Sequence, residues 1–393
     1  RASPPPSTSG SGRSTLVQVL VLAVVLLGLV GAQVYRWFPM MDQSENRYLD
    51  GYARGILESL PPKSLFFTNY DQQWTASRYL HVCEGVRKDV PFINLSMMTF
   101  WWFYRQRELF PEIAWPSAYL AGSHTKQYAR GEAFTFKELL DANVDRFPGG
   151  IYLGGDVSSG AEGGYREYYE SIPFGLVSRL VPKKTSSPEG GDPIHKFENW
   201  LDASDRAWEA IHKALPTLPA VEKYDEETWE WTVGKDYWDH RRDTAAYKLD
   251  FVTGAACGDV VCNPKDRTRE LRTLIASANT LEDCIENDPI GPSPAIVKNA
   301  GIAYSKLVQG KFPQKITDSL LGKGYPFGIR TKVKMVQQGY LGDWSEHASY
   351  LTMQHWNRFI GMPGAESDPS YASVKQIVTY LAQADQKGKA AKA

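Results

Sequence analysis

The sequence predicts an α/β plus all-α protein with one N-terminal transmembrane helix, a small βαβ-containing domain and then a helical, tetratricopeptide-like array. Three observations indicate this order. Residues 14–35 contain no charged side chain, and residues 64–95 alternate short apolar runs with a helix-like segment. Beyond residue 192, apolar residues recur at the three- and four-residue spacing of amphipathic helices. With 42% hydrophobic and 12% aromatic residues, the chain has enough apolar side chains for two cores.

The uncharged stretch Ser14–Tyr35 is the predicted membrane span. As an α-helix it is about 33 Å long, which suffices for a hydrocarbon core of about 30 Å. The alternatives are a signal peptide, with Val30–Gly31–Ala32 as its cleavage site, and a buried core helix. Arg1 and Arg13 precede the stretch, so the positive-inside rule places that side in the cytosol. The large C-terminal part is then expected in a lumen or outside the cell.

Composition shifts divide the rest of the chain. The opening run RASPPPSTSGSG is typical of a disordered linker, and it indicates a processed chain or part of a longer one. The Pro/Gly-rich stretch KKTSSPEGGD reads as a domain boundary. The predicted segments are a linker at 1–13, a transmembrane helix at 14–37, an α/β soluble domain at 38–183, a linker at 184–192, a helical repeat-like domain at 193–384 and a disordered tail at 385–393.

Periodicity predicts the elements in order. In the α/β part these are a helix at 45–60, a strand at 64–68, a helix at 72–85, a strand at 90–95, a helix from Ser96, and strands at 151–153 and 176–181. Strand, helix and strand in succession indicate a parallel βαβ unit. In the second part helices are predicted at 196–215, 227–251, 265–286, 294–309, 345–360 and 370–384. Helix pairs joined by short turns suggest a solenoid, although no strict 34-residue period can be written.

Asp71 is the first candidate functional residue, because it directly follows a predicted strand and opens a helix. The carboxyl ends of strands in an α/β sheet are where ligands usually bind. Asp71 could therefore orient a polar ligand or a backbone turn. Equally, it could serve only as a helix N-cap, a position that aspartate favours in any protein.

Four further charged residues follow within one turn-rich segment: Arg78, Glu84, Arg87 and Asp89. With Asp71 they could form a polar cluster that supports a ligand at the end of the sheet. Alternatively they form surface ion pairs, each worth well under about 1 kcal/mol.

Cysteines and metal-capable residues give few signals. Cys257 and Cys262 flank a four-residue loop that a disulfide could close in an oxidising lumen, while Cys83 lies in an apolar stretch and is expected to be a buried thiol. Asp236 and His240 share a helix face and could bind a metal, although solvated helix charges are the simpler interpretation. We therefore predict no metal site, and no nucleotide motif indicates a cofactor.

Two further patterns concern modification and partners. Asn94–Leu95–Ser96 matches the N-glycosylation pattern but lies in an apolar run, where we expect it to be too buried for modification. The net charge of −1, from 44 basic and 45 acidic residues, produces no general attraction to nucleic acid.

Several short motifs occur in a fixed order between residues 47 and 103. They are Arg78-Tyr79, Cys83-Glu84-Gly85, Arg87 with Asp89-Val90, Met97-Met98-Thr99 and Trp102. In this order they resemble the transmembrane protein 260 family, polytopic O-mannosyltransferases of the endoplasmic reticulum with bacterial relatives. The segment Tyr168–Pro182 looks like the part of the family that precedes its helical repeats. The resemblance spans about residues 15–310.

The resemblance implies that this chain corresponds to the last membrane span and the lumenal region of such an enzyme. The family's catalytic acidic residues are expected in loops between earlier spans, so the resemblance carries no catalytic residue onto this sequence. Where the family has Gly-Asp after the first strand, this chain has Tyr70-Asp71, which departs from the pattern.

Two hypotheses for function remain open. In the first, this region supports the active site of a lipid-linked-sugar-dependent O-mannosyltransferase and binds its acceptor protein. In the second, the chain is a non-catalytic single-span subunit that makes protein–protein contacts in a larger organellar complex. Both imply a lipid bilayer and proteins as partners. The resemblance favours the endoplasmic reticulum, whereas the second hypothesis also allows a mitochondrial or plastid membrane.

Overall fold

The computed structural model describes residues 11–122, 132–155, 157, 164–183, 193–253, 267–310, 312 and 344–392. The chain forms two units, Arg1–Arg47 and Tyr48–Ala393. The first contains helix α1 (Ser11–Met41), and its stretch Leu16–Pro39 is the one described segment long and apolar enough to cross a membrane. No part of that stretch is buried among the described residues, so it belongs to none of their cores. Its length and composition fit a membrane anchor, and its position near the N-terminus also fits the signal peptide.

The second unit begins with the predicted βαβ order. Its first elements are α2 (Tyr48–Ser59), β1 (Leu65–Thr68), α3 (Asp71–Cys83) and β2 (Phe92–Asn94). β1 and β2 are parallel, with Phe66 opposite Phe92. The predicted parallel pair is therefore confirmed.

The helix expected from Ser96 is not an α-helix. Two 3₁₀ helices, Met97–Thr99 and Trp101–Leu109, take its place. Phe100 between them has extended backbone angles (φ −97°, ψ 144°), which interrupts the α-helical hydrogen-bond pattern. The prediction was wrong because this aromatic-rich run lacks a continuous apolar face to hold an α-helix against the sheet.

The remaining α/β elements include several that the periodicity did not predict. They are β3 (Tyr119–Leu120), β4 (Ala133–Phe134), α4 (Phe136–Asn143), β5 (Ile151–Gly154), α5 (Tyr165–Tyr168), β6 (Tyr169–Phe174) and β7 (Val177–Pro182). The predicted third and fourth strands correspond to β5 and β7. The periodicity missed β6, α4, α5 and the small β3–β4 pair. Of these, α5, β3 and β4 are too short to show a period.

The five-stranded sheet has the order β2-β1-β5-β7-β6. β2, β1 and β5 are parallel, whereas β7 runs antiparallel to β5 and forms a hairpin with β6. Alternate residues of each central strand point to opposite faces. Phe67 packs with α4 on one face, and Phe66 packs with α2 and α3 on the other. Two hydrophobic cores thus enclose the sheet.

Six long helices follow: α6 (Pro193–Ala214), α7 (Trp229–Val252), α8 (Arg267–Asn287), α9 (Pro294–Gln309), α10 (Trp344–Ile360) and α11 (Tyr371–Lys392). All six coincide with predicted helices within a few residues at most ends, although α11 extends eight residues further. Successive helices α7 to α11 share a third core that contains Leu281, Tyr304 and Phe359.

The predicted linker 184–192 lies outside the described residues. Helices on its C-terminal side nevertheless pack against the sheet. Trp208 and Ile211 of α6 and Val233 of α7 belong to the same buried cluster as Tyr52 of α2 and Phe66 of β1. The first two helices of the helical part therefore cover one face of the sheet and stabilise it.

Candidate functional site

The carboxyl edge of the parallel strands is the candidate site. We define it by the residues that directly follow β1 (Asn69–Asp71), β2 (Leu95–Ser96) and β5 (Gly155). β1 and β5 are neighbours, but the chain leaves β1 toward β2 on one side and leaves β5 toward β6 and β7 on the other. Such a switch point opens a crevice at the carboxyl ends of the strands, where open α/β sheets bind ligands.

Backbone and side-chain hydrogen bonds hold this edge together. The amide of Asn69 donates to the carbonyl of Gly154 (3.1 Å), and the amide of Leu95 donates to the carbonyl of Thr68 (2.8 Å). The Ser96 hydroxyl donates to Asn69 Oδ1 at 2.6 Å. The three strand ends therefore present a fixed set of polar groups.

A glycine allows close packing at this edge. A Cβ at Gly154 would lie 2.0 Å from Gln73 Oε1, far inside van der Waals contact. Only glycine lets the first turn of α3 approach the end of β5 this closely.

A buried polar relay lies beneath the edge. Gln73 Nε2 donates to the Tyr52 hydroxyl at 2.9 Å, and that hydroxyl donates to Asp236 Oδ2 of α7. Burial, followed by the charge of Asp236, raises the pKa of Tyr52 well above its usual value. His240 Nε2 lies 3.8 Å from the other Asp236 oxygen. These hydrogen bonds, donated by Gln73 and Tyr52 and accepted at their end by the Asp236 carboxylate, connect the sheet edge to α7.

Asp236 therefore has a partner that sequence reasoning missed. Tyr52 and Asp236 are 184 residues apart, and Tyr52 looks like an ordinary core position of an amphipathic helix. No group of three metal-capable side chains occurs within the described ranges. The geometry favours a structural carboxylate at Asp236 over a metal ligand.

Asp71 lies on the carboxyl edge, where the sequence placed it. It is the first residue of α3, and Tyr70 occupies the N-cap position without a side-chain cap bond. The Asp71 side chain is exposed. The helix N-terminus favours its negative charge, although Asp71 is not the cap itself.

Arg87 and Asp89 lie at the opposite, amino edge of the sheet. Arg87 donates to Asp89 through Nε (2.8 Å) and Nη2 (3.0 Å). Its guanidinium also donates to the carbonyls of Leu57, Leu60 and Pro61, which end α2 and lead into β1. Arg87 thus satisfies carbonyls that a helix C-terminus leaves without partners.

The other two candidates also have local partners. Glu84 pairs with Arg54 of α2 at 2.9 Å. The Arg78 guanidinium lies 5.5 Å from the centre of the Trp74 ring, and burial lowers its pKa. Of the five candidates, Arg87 and Asp89 contact each other at the amino edge of the sheet, and Glu84 pairs with Arg54. Asp71 lies at the carboxyl edge, so the five residues do not form one cluster. This happens because α3 runs back across the sheet between Asp71 and Glu84.

A cavity of about 530 Å³ lies in the helical part, between the end of α6, α7 and α8. One side is apolar and aromatic, and the other carries carboxylates and amides. Its lining comprises Leu215, Pro216, Thr217, Leu218 and Pro219, then His212, Tyr237 and Trp238, then Asn279, Glu282, Asp283, Glu286 and Asn287.

Two groups of the cavity are fixed by hydrogen bonds. Glu282 Oε1 accepts from the Tyr304 hydroxyl (3.0 Å) and lies 2.7 Å from His355 Nε2. His212 Nε2 lies 2.9 Å from the Tyr237 hydroxyl, and burial together with Arg241 lowers the His212 pKa. His212 is therefore neutral at pH 7, and the charge of the lining is negative.

The cysteine and glycosylation predictions have mixed outcomes. Cys83 is exposed, so the expectation of a buried thiol was wrong: it lies in the last turn of α3 on the face away from the sheet. Asn94 is only 3% exposed, as expected. Cys257 and Cys262 lie outside the described residues.

Comparison with known proteins identifies two relatives with the same description. The chain is 30% identical to the protein O-mannosyl-transferase tmem260 of Dictyostelium discoideum, over 54% of this chain and 24% of that protein. It is 26% identical to the protein O-mannosyl-transferase TMEM260 of Mus musculus, over 58% of this chain and 30% of that protein. No family model and no solved structure matches.

The matched region therefore spans less than a third of either relative. Both relatives carry the description that the motifs between residues 47 and 103 indicated. The resemblance is confirmed, and over about half of its length this chain is related to the transmembrane protein 260 family of protein O-mannosyltransferases.

Proposed function

We propose that this chain is the membrane-anchored, lumenal region of a protein O-mannosyltransferase, in which it supports the active site and binds the acceptor protein. The observation that carries the proposal is the match to two relatives that are both described as protein O-mannosyl-transferases. The catalytic residues of such an enzyme are expected in membrane loops that correspond to no part of this sequence.

In this proposal the carboxyl edge supports the active site. Asp71 is the sequence-predicted residue that remains exposed there, beside the polar groups of Asn69 and Ser96. Arg78, Glu84, Arg87 and Asp89 act indirectly, by fixing α2 and α3 on the sheet. The positive-inside rule supports a lumenal position, and the family resemblance supports the endoplasmic reticulum.

The helical part binds the acceptor in this proposal. The cavity between α6, α7 and α8 has the size of a ligand pocket and can accommodate one side chain or a short peptide segment. Its carboxylates Glu282, Asp283 and Glu286 suit a basic side chain, while Leu215 and Trp238 suit the aliphatic part of that side chain. In this proposal the helices form a tetratricopeptide-like array, and its concave face holds the acceptor protein.

The test is mannosyl transfer by the native protein in membranes from cells that lack the endogenous activity, with acceptor peptides analysed by mass spectrometry. The double variant Asp283→Asn/Glu286→Gln should raise KM for the acceptor about threefold to tenfold and leave kcat unchanged, because it removes two negative charges from the proposed acceptor cavity. Glu366→Gln, an exposed carboxylate outside the cavity lining, is the matched control.

A lower kcat with unchanged KM in the double variant would contradict acceptor binding in the cavity. If the native protein transfers no mannose to any acceptor, the transferase assignment fails. The non-catalytic membrane subunit would then be the better description, and co-purifying proteins would identify its complex.

A further inference from the structure

The 3₁₀ helix Trp101–Leu109 exposes an unusual amount of apolar surface. Trp101 is 62% exposed, Tyr104 is 51% exposed and Leu109 is 64% exposed. Trp102, at 39%, extends the same surface. Contiguous exposed apolar groups of this size mark interaction sites on folded proteins. We call this segment the aromatic rim.

The aromatic rim is held rigidly rather than loosely. Phe103 is buried and its ring packs 6.0 Å from that of Trp115. The Arg107 guanidinium lies 5.3 Å from the centre of the Tyr104 ring and donates to the carbonyl of Ser117 at 2.8 Å. These contacts fix the backbone, so the outward side chains are presented in a preorganised arrangement.

The aromatic rim follows β2 and therefore belongs to the carboxyl edge. Helix α2 also starts at this edge, because Tyr52, one turn into α2, contacts Gln73 in the first turn of α3. Tyr48, the first residue of the second unit, precedes that contact. The second unit therefore begins at the carboxyl edge of the sheet, which is also the edge that carries the aromatic rim.

The connection between α1 and α2 is short. Six residues, Asp42–Arg47, separate the end of α1 from α2, and fully extended they reach at most about 21 Å. A bilayer that takes up α1 is therefore within reach of the edge at which α2 begins. Tryptophan and tyrosine are the side chains that concentrate at membrane–water interfaces, and the exposed Arg105 can pair with lipid phosphate.

We propose that the aromatic rim is a membrane-docking surface, with Trp101, Trp102 and Tyr104 inserted into the lipid headgroup region and Leu109 at its border. Docking orients the carboxyl edge, and with it the crevice beside Asp71, toward the bilayer surface. This inference rests on the membrane helix and the exposed surface, and it is independent of the mannosyltransferase proposal.

The test uses the full chain in nanodiscs that contain phosphatidylcholine brominated in the upper acyl chain, which quenches only tryptophans at the interface. Wild type is compared with the double variant Trp101→Phe/Trp102→Phe, which removes two of the twelve tryptophans. We expect the quenchable part of the emission to fall in the double variant. Trp229→Phe, which removes an indole that is 47% exposed in the helical part, is the matched control and should leave that part unchanged.

An identical quenchable emission in wild type and in Trp101→Phe/Trp102→Phe would overturn the proposal. Iodide in the aqueous phase gives a second measurement, since docked indoles are shielded from it in nanodiscs and accessible in detergent. Equal iodide quenching of Trp101 and Trp102 in both environments would also overturn it, and would point to a protein partner for this surface instead. Both variants keep an aromatic ring at exposed positions, so folding is expected to be preserved.

Discussion

The ion pair between Lys298 and Asp368 should stabilise the helical part in a pH-dependent way. Lys298 Nζ of α9 lies 2.5 Å from Asp368 Oδ2, just before α11. Ser370 donates its amide (2.8 Å) and its hydroxyl (2.5 Å) to the other oxygen. Both charged side chains are largely buried, at 17% and 16% exposure, so solvent screens the pair only weakly.

These contacts determine the pKa of Asp368. Burial raises it, but the hydrogen bonds from Lys298 and Ser370 outweigh burial and lower the pKa from 3.8 to about 2. At 1.36 kcal/mol for each pKa unit, the difference corresponds to about 2 kcal/mol of stability. Because the pKa is depressed in the folded state, this stability is complete above pH 4. It is lost as the pH falls toward 2.

The substitution Asp368→Asn tests this directly. At pH 7 it should lower the free energy of unfolding by about 2 kcal/mol, measured by urea denaturation and by amide hydrogen exchange in α9 and α11. The difference between wild type and variant should shrink between pH 4 and pH 2. Glu366→Gln, an exposed carboxylate two residues away, is the control and should change stability by less than about 0.5 kcal/mol.

Equal stability of Asp368→Asn and wild type at pH 7 would refute the reasoning. A difference that persists unchanged below pH 2 would refute the electrostatic part of it, because protonated Asp368 no longer pairs with Lys298. The loss would then reflect packing alone.

Three further predictions concern the α/β part and the thiols. Gly154→Ala should destabilise the second unit by about 2 kcal/mol or more in urea denaturation, because the new methyl group overlaps the Gln73 amide. Arg87→Ala should cost about 2 kcal/mol and increase amide exchange at the C-terminal end of α2, because three carbonyls lose a charged donor. Exposed Cys83 should react with maleimide in the native protein, whereas Cys284, buried and with its pKa raised to about 12, should react only after unfolding, as peptide mass spectrometry can establish.

Matched controls separate these effects from general damage. A Cβ at Gly361 would meet its nearest neighbour at an ordinary 3.6 Å, so Gly361→Ala should be nearly neutral. Lys88→Ala removes an exposed cation next to Arg87 and should change stability by less than about 0.5 kcal/mol. Native Cys284 labelling as fast as that of Cys83 would contradict the burial of α8.

The sequence by itself determined the local features of this protein. About eighteen or more predominantly apolar, uncharged residues in succession are enough for a helix to cross a membrane, and Ser14–Tyr35 supplies twenty-two uncharged residues. Apolar spacing likewise predicted both ends of α9, Pro294 and Gln309, because the periodicity of its own side chains determines where an amphipathic helix forms. Asp71 could be assigned to a strand end for the same reason, since the adjacent strand and helix are both local.

Only the tertiary structure decided which of these residues meet. Arg87 and Asp89 are eighteen residues or fewer from Asp71 in sequence, yet α3 carries them to the opposite edge of the sheet. Conversely, Tyr52 and Asp236 are brought into hydrogen-bond contact across 184 residues. Side-chain pairing over such distances depends on how helices dock on the sheet. That docking results from the summed burial of many apolar side chains. No single position in the sequence therefore indicates which helix it will contact.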